Sequence, residues 1–228
     1  MAKTKDKYKI KIAKNGPYIV SGGVPLGEKI ITPKGREYEY VKGRELPQRE
    51  TYTLCRCGKT KTPPFCDGEH QAIGFQGEEK ASQRPYHDRA DTVYGFGIDL
   101  LDDNRCAFAR FCHRKNSNVW DLTHKSKTAE ICAEVIQGAN DCPTGRLTAV
   151  DKDGKEHEPH YEPAIDLLQD AEQRVSSGIF VQGGIAIESA DGTMYETRNR
   201  VVLCRCGKSK NMPFCDASHV RVKYRDHE

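Results

Sequence analysis

Two copies of one cysteine–histidine motif, 149 positions apart, constrain this chain more than any other feature. The first runs Cys55-Arg-Cys57-Gly-Lys-Thr-Lys-Thr-Pro-Pro-Phe-Cys66-Asp-Gly-Glu-His70. The second runs Cys204-Arg-Cys206-Gly-Lys-Ser-Lys-Asn-Met-Pro-Phe-Cys215-Asp-Ala-Ser-His219. Both read C-x-C-x8-C-x3-H with no drift in spacing. Three thiols and one imidazole per copy are the soft-to-borderline donors that a tetrahedral metal site or a small iron–sulfur cluster requires.

The spacing favours a cluster over zinc. Zinc ribbons and fingers leave two or more residues between paired cysteines, because one pair must wrap a single ion. Here the pair is tighter, and its neighbours are small or hydroxylic: Gly58 with Thr60, Gly207 with Ser209. Such residues let N–H and hydroxyl groups approach sulfide. Cys66 and His70 lie four apart, as do Cys215 and His219, so one helical turn would put each couple on one face. Asp67 and Asp216 are then expected in the first helical turn.

These sixteen-residue segments resemble the CDGSH (NEET-type) iron–sulfur family, whose pattern is C-x-C-x2-[S/T]-x3-P-x-C-D-G-[S/A/T]-H. The resemblance implies a 2Fe–2S cluster in each copy. Cys55 and Cys57 would hold the inner iron and Cys66 and His70 the outer one, with Cys204, Cys206, Cys215 and His219 repeating the set. Two positions depart from the pattern. Glu69 stands where the family has a small residue, and Ala217 replaces a glycine, which matters if that position needs positive φ. A structural zinc site is the alternative. A disulfide framework is not expected without a secretory signal.

The duplication extends upstream. Residues 16–26 parallel 177–187, each a β-rich run broken by Gly-Gly (Gly22–Gly23, Gly183–Gly184) and suited to a bulge or tight turn. The glycine pair precedes the cysteines by 33 residues in copy one and 21 in copy two, which places a twelve-residue insertion in 27–49. Apolar runs 52–54 and 201–203 read as strands feeding the ligands into the site. So short a repeat buries little surface alone. Single-motif CDGSH modules pair as strand-swapped dimers, and by that resemblance the two copies are expected to form an intrachain pseudo-dimer.

Between them lies a different segment. It contains a strand-like 92–101, then Cys106-Ala-Phe-Ala109-Arg-Phe-Cys112, a β-like 119–122, a helix around 126–138, Cys142-Pro143 and a strand-like 146–150. The order is that of a monocluster ferredoxin with Ala109 at the middle cysteine position. It resembles three-cysteine ferredoxins and the divergent ferredoxin domain sometimes fused to CDGSH modules. That resemblance makes Cys106, Cys112 and Cys142 the ligands of a third cluster, 3Fe–4S with 4Fe–4S as the alternative, or else the segment is a spacer without one. Cys132 reads as a buried helix-face thiol. His113, His124, His157 and His160 read as solvated, as do Lys59, Lys61, Lys208 and Lys210. The expected fold is α+β and predominantly β. Its divisions are 1–73 (CDGSH module 1), 74–170 (ferredoxin-like domain) and 171–228 (CDGSH module 2).

With 36% hydrophobic and 30% charged residues the cores should be small, which is where bound metal contributes to folding. The formal charge of +3 falls close to zero once each three-thiolate 2Fe–2S site adds roughly one negative charge. No nucleic-acid partner is expected. No apolar run approaches membrane-spanning length, so a cytoplasmic protein is expected, a monomer with internal pseudo-symmetry or a homodimer. Electron transfer or cluster transfer is the expected function, with a redox partner or an apo iron–sulfur acceptor. An iron or redox sensor and a zinc-stabilised interaction module are the alternatives, and a redox carrier is expected rather than a substrate-converting enzyme. The histidines couple ligation to protons near neutral pH, and Glu69 beside His70 is expected to make site one the more acid-labile.

Overall fold

The computed structural model describes residues 7–115 and 117–226. The first copy comprises β1 (Lys9–Ile12), β2 (Tyr18–Ser21), β3 (Leu26–Lys34), β4 (Glu37–Lys42), β5 (Thr51–Leu54) and the short helix α1 (Glu69–Ala72). The middle stretch holds β6 (Asp91–Val93), β7 (Ile98–Asp102), β8 (His113–Arg114), β9 (Ser117–Asn118), α2 (Val119–His124), α3 (Ala129–Asn140), β10 (Leu147–Asp151) and β11 (Glu156–His157). The remainder is β12 (Ala164–Asp170), β13 (Val175–Gln182), β14 (Ala186–Glu188), β15 (Arg200–Leu203) and α4 (Ser218–Arg221). Strands hold 32% of the residues and helices 13%, so the fold is β-rich α+β. Among the described residues no helix is long and apolar enough to cross a membrane.

The two copies exchange strands. In the first, β2 pairs antiparallel with β1 and β5, placing Tyr18 opposite Leu54. In the second, β13 pairs antiparallel with β12 and β15, placing Ile179 opposite Leu203 in the same register. After each Gly-Gly the chain leaves its own sheet. β3 pairs parallel with β12 of the second copy, and β14 pairs parallel with β1 of the first. The glycines permit the departure: Gly22 and Gly183 hold φ of 96° and 78°, and a Cβ there would lie 1.9 Å from Lys7 O and 2.4 Å from Pro163 N. The swap buries one shared core. Ile10, Ile12, Tyr18, Val20 and Leu54 pack with Ile165, Leu167, Ile179, Val181 and Leu203. This is the intrachain pseudo-dimer expected from the repeat, with β12 standing in the second copy where β1 stands in the first. The insertion at 27–49 is the outer part of the β3–β4 hairpin at the edge of the second sheet.

The middle stretch forms an antiparallel sheet in the order β11-β10-β7-β6, with α2 and α3 packed on it around Ile98, Leu100, Val119, Val135 and Leu147. Three local expectations are corrected here. The run 92–101 is two strands, β6 and β7, because Gly95 and Gly97 turn the chain in places where a Cβ would meet backbone at 2.2 and 2.6 Å. The β-like 119–122 is helix α2, started by the Asn118 side chain accepting from Asp121 N. The following helix begins later than expected, at Ala129, where Thr128 caps it by accepting from Ile131 N.

Candidate metal centres

Strand and loop together aim each ligand set. At the end of β5, Cys55 N donates to Pro64 O and Cys66 N to Thr53 O, which folds the second half of the motif back on the first. Cys204 N and Cys215 N make the same bonds to Pro213 O and Val202 O. The hydroxyls of Thr60 and Ser209 do not face the thiols as the spacing suggested. They donate to Phe65 O and Phe214 O (2.6 and 2.7 Å) and lace the loop shut. Asp67 and Asp216 lie before their helices rather than in the first turn. Each accepts from the residue two ahead (Glu69 N, Ser218 N) and from the loop (Lys61 N, Lys210 N). They are displaced because Gly68 and Ala217 adopt left-handed backbone, at φ 92° and 65°. Position 217 therefore does need positive φ, and its alanine carries the strain of a side chain there.

Within each site the donors come in two pairs. Cys55 and Cys57 bring their sulfurs to 3.7 Å, and Cys204 and Cys206 to 3.6 Å. A tetrahedral ion with bonds to sulfur of ~2.3 Å separates two sulfurs by roughly 3.8 Å, so both couples fit one iron. In the second pair the imidazole Nδ1 faces the thiol, at 3.3 Å for His70 and Cys66 and 3.4 Å for His219 and Cys215. Among the described residues no three of His, Cys, Asp or Glu converge closely enough to hold a single ion. The Cys55 thiol is drawn down to about 6 by the hydrogen bond it shares with Cys57 and by the N–H groups of Thr60, Gly58 and Lys59. The same bond pushes Cys57 up. In the second pair of cysteines Cys204 is drawn down to about 7 and Cys206 is pushed up.

The two sites differ in exposure. Cys66 and His70 are half-buried at the surface. Cys215 and His219 are 3% and 1% exposed, and burial, reinforced by Arg205, pulls the His219 imidazole down to about 4. Its Nε2 is buried with no partner. Glu69 beside His70 is met by Lys61 Nζ at 3.4 Å, which offsets the charge on which the sequence argument relied.

The middle loop brings three thiols together. Cys106, Cys112 and Cys142 line one small cavity of about 20 Å³ with Ala109, Trp120, Pro143 and Thr144. Burial and the neighbouring Cys142 and Cys106 push the Cys112 thiol up to about 12. Phe108 and Arg110 hold left-handed backbone at φ 58° and 66° on either side of Ala109, and Phe108 N donates to Cys106 Sγ at 3.3 Å. An N–H turned onto sulfur in this way suits an anionic sulfur centre. Cys132 lies outside that cavity, on α3, with its thiol 3.6 Å from Ser126 O. His113, His124 and His160 are exposed, while His157 is half-buried on β11, which corrects the expected irregular loop.

Sequence reasoning missed the arginines. Arg56 and Arg205, the central residues of the two C-x-C triplets, are buried. Arg56 donates only to carbonyls, those of Ala13, Gly16 and Gly77. Arg205 donates to Ser177 O and Leu168 O and pairs with Asp226. Arg200 and Arg110 tie the middle loop to the second module. Arg200 donates to Cys142 O, and Arg110 forms a two-pronged ion pair with Asp170 (2.7 and 2.9 Å).

The family model of the iron-binding zinc finger, CDGSH type, matches residues 15–71 and 177–220. The model of the divergent 4Fe-4S mono-cluster domain matches residues 95–152. No curated protein and no solved structure matches the chain.

Proposed function

Because this chain is an iron–sulfur protein belonging, through both of its repeats, with the CDGSH-type iron-binding domains, and because it carries a divergent 4Fe-4S mono-cluster domain between them, we propose that it is a multi-cluster electron carrier. In this reading Cys55, Cys57, Cys66 and His70 hold one 2Fe–2S cluster, and Cys204, Cys206, Cys215 and His219 hold another. Cys106, Cys112 and Cys142 hold a 3Fe–4S cluster, since Ala109 occupies the place of a fourth thiolate in the cavity lining. Bound there, the clusters supply one-electron redox chemistry. The observation that carries the proposal is donor geometry. Each repeat presents a pair facing a pair, with sulfurs 3.6 to 3.7 Å apart and Nδ1 turned toward sulfur. A two-iron centre uses two such pairs, whereas one zinc needs all four donors about a single point.

The chain's own residues tune the sites. N–H groups of residues 58–60 and 207–209 face the inner thiolates and stabilise their charge. A neutral imidazole replaces one thiolate, so less negative charge opposes an added electron. All-cysteine plant-type centres lie near about −400 mV and two-histidine Rieske centres at about −150 to +300 mV, so one-histidine sites should fall between.

Anaerobically purified protein should be red-brown, with iron and sulfide in near-equal amounts and a reduced-state EPR signal. Substituting Cys55 and Cys204 by serine together should remove the two-iron signal. Colourless protein containing stoichiometric zinc would end this reading.

The half-buried Cys66–His70 pair supports a second activity, release of the cluster at site one to an apo acceptor. Only the neutral imidazole is a ligand, so protonation competes with iron. Burial holds the His219 imidazole in its neutral form well into acid, while the Cys66–His70 pair lies half-buried at the surface. On acidification, visible absorbance from site one should bleach before that of site two, because its Cys–His pair is the one open to solvent. Stopped-flow bleaching on single-site variants measures this, and simultaneous loss at both sites would contradict it.

A further inference from the structure

We propose that the three sites form an ordered series, middle to second to first, in which the second CDGSH site exchanges electrons within the molecule and the first is the outlet to a one-electron partner. The proposal rests on the iron–sulfur reading above and adds an order and a direction to it.

The order follows from burial and contact. All four donors of the second site are buried, Cys204 and Cys206 as fully as Cys215 and His219. What covers them on one side is the middle cysteine loop. Cys215 packs in one apolar cluster with Ala107, Ala109 and Phe111 from that loop. Cys106 and Phe108 share a cleft of about 500 Å³ with Cys215 and Asp216. On the other side the inner cysteines of the two repeats meet. A Cβ on Gly58 would lie 2.5 Å from Cys206 O, and one on Gly207 would lie 2.3 Å from Cys57 O. The Tyr18 hydroxyl adds a bridge, donating to Cys204 O at 2.7 Å. The second site thus touches both neighbours. The first site is the one that presents its Cys–His pair at the surface, and the cleft at Phe108 gives a donor access to the middle site.

The direction follows from charge. Seven residues beyond each ligand histidine the two copies differ. Gly77 offers Arg56 only a carbonyl, whereas Asp226 offers Arg205 a carboxylate. Among the described residues Arg56 has no acidic partner within 4 Å, and it is 1% exposed. A buried guanidinium without an ion pair among the described residues, with Glu79 acting from farther off on the same Tyr18 and Tyr195 hydroxyls, favours added negative charge at site one. At site two Asp226 offsets part of the Arg205 charge, and the dry surroundings disfavour added charge. Site one should therefore have the higher potential, and an electron on site two runs toward it. Each transfer moves one electron, with no bond made or broken, from an external one-electron reductant to an external one-electron acceptor.

The test uses fully loaded protein, with iron and sulfide counted first, so a failure of the iron–sulfur reading is seen before the series is examined. Signals are assigned to sites with His70→Cys and His219→Cys. Three results are expected. In a redox titration followed by EPR, site one is reduced before site two, and Arg56→Gln lowers the potential of site one alone. The site-two signal relaxes faster when the middle site is loaded than in Cys112→Ala, while the site-one signal is unchanged. An iron chelator at neutral pH strips site two about tenfold or more slowly than site one, because removal there needs local opening. With iron and sulfide at full count, three findings would each overturn the series: site two reduced first, relaxation at site two indifferent to the middle site, or equal stripping rates. The wild-type titration and stripping orders decide the matter even where a variant fails to fold.

Discussion

Replacing Gly58 by valine is expected to abolish the absorbance of both CDGSH sites, not of one. Gly58 sits at φ 74°, and its added Cβ would lie 2.5 Å from the carbonyl oxygen of Cys206, a ligand of the other site. Gly207 repeats the arrangement against Cys57 at φ 70°. Left-handed strain and forced displacement of backbone together should cost on the order of 4 kcal/mol, much of the stability of an ordinary domain. Gly35 is the control. It has φ 67° with nothing within 4 Å of its added Cβ, so Gly35→Ala should show only the local conformational cost of about 1–2 kcal/mol. Thermal unfolding and the visible spectrum of the two variants measure the comparison. Selective loss of site one in Gly58→Val would mean that the two sites do not share this contact.

The second large effect should come from Asp170→Ala. Its partner Arg110 is 8% exposed and lies between the middle cysteines, where it also donates to Phe108 O at 2.7 Å. Removing the carboxylate leaves a buried guanidinium whose remaining acidic partner among the described residues is the more exposed Glu172 (3.2 Å), beside the Tyr38 ring. Breaking one side of such a pair costs about 3–5 kcal/mol. Because Arg110 holds the loop that carries Cys106 and Cys112, the expected loss is of middle-site iron, with the iron of both repeats retained. Asp170→Asn, which keeps an acceptor, should lose less. Iron counts on the purified variants check this, and full iron in Asp170→Ala would show that the loop holds its shape without the pair.

The candidate donors were legible because cysteine and histidine at fixed spacing carry their chemistry in the sequence, and because duplication showed the pattern twice. The pairing of the two repeats was expected from the thinness of each and from the family resemblance, whereas the Gly-Gly pairs read as a bulge or tight turn and turned out to mark where the chain leaves its own sheet. Other features depended on tertiary context. Val119, Trp120 and Leu122 have strand-forming side chains, yet the cap from Asn118 and packing against α3 make them helical. Asp67 reads as a first-turn residue until Gly68 turns left-handed behind it. The opposite environments of Arg56 and Arg205 were hidden altogether, since the residues that distinguish them, Gly77 and Asp226, lie outside both motifs. The same holds for the cover over Cys215, part of which comes from a segment about a hundred residues away in sequence.

The exchange of β3 and β14 also sets a timetable. Strand β1 lies at residues 9–12, but its parallel partner β14 lies at 186–188. At about 5–20 residues per second a ribosome needs roughly 10–35 s to make the intervening chain. Throughout that interval the nascent first module has a sheet with one edge missing and half of its core still unmade. The motif at Cys55–His70 is made well before the strand that completes its sheet. Iron–sulfur delivery to this protein should therefore follow release of the finished chain, and a chaperone that shields the early cysteines would act in the time between.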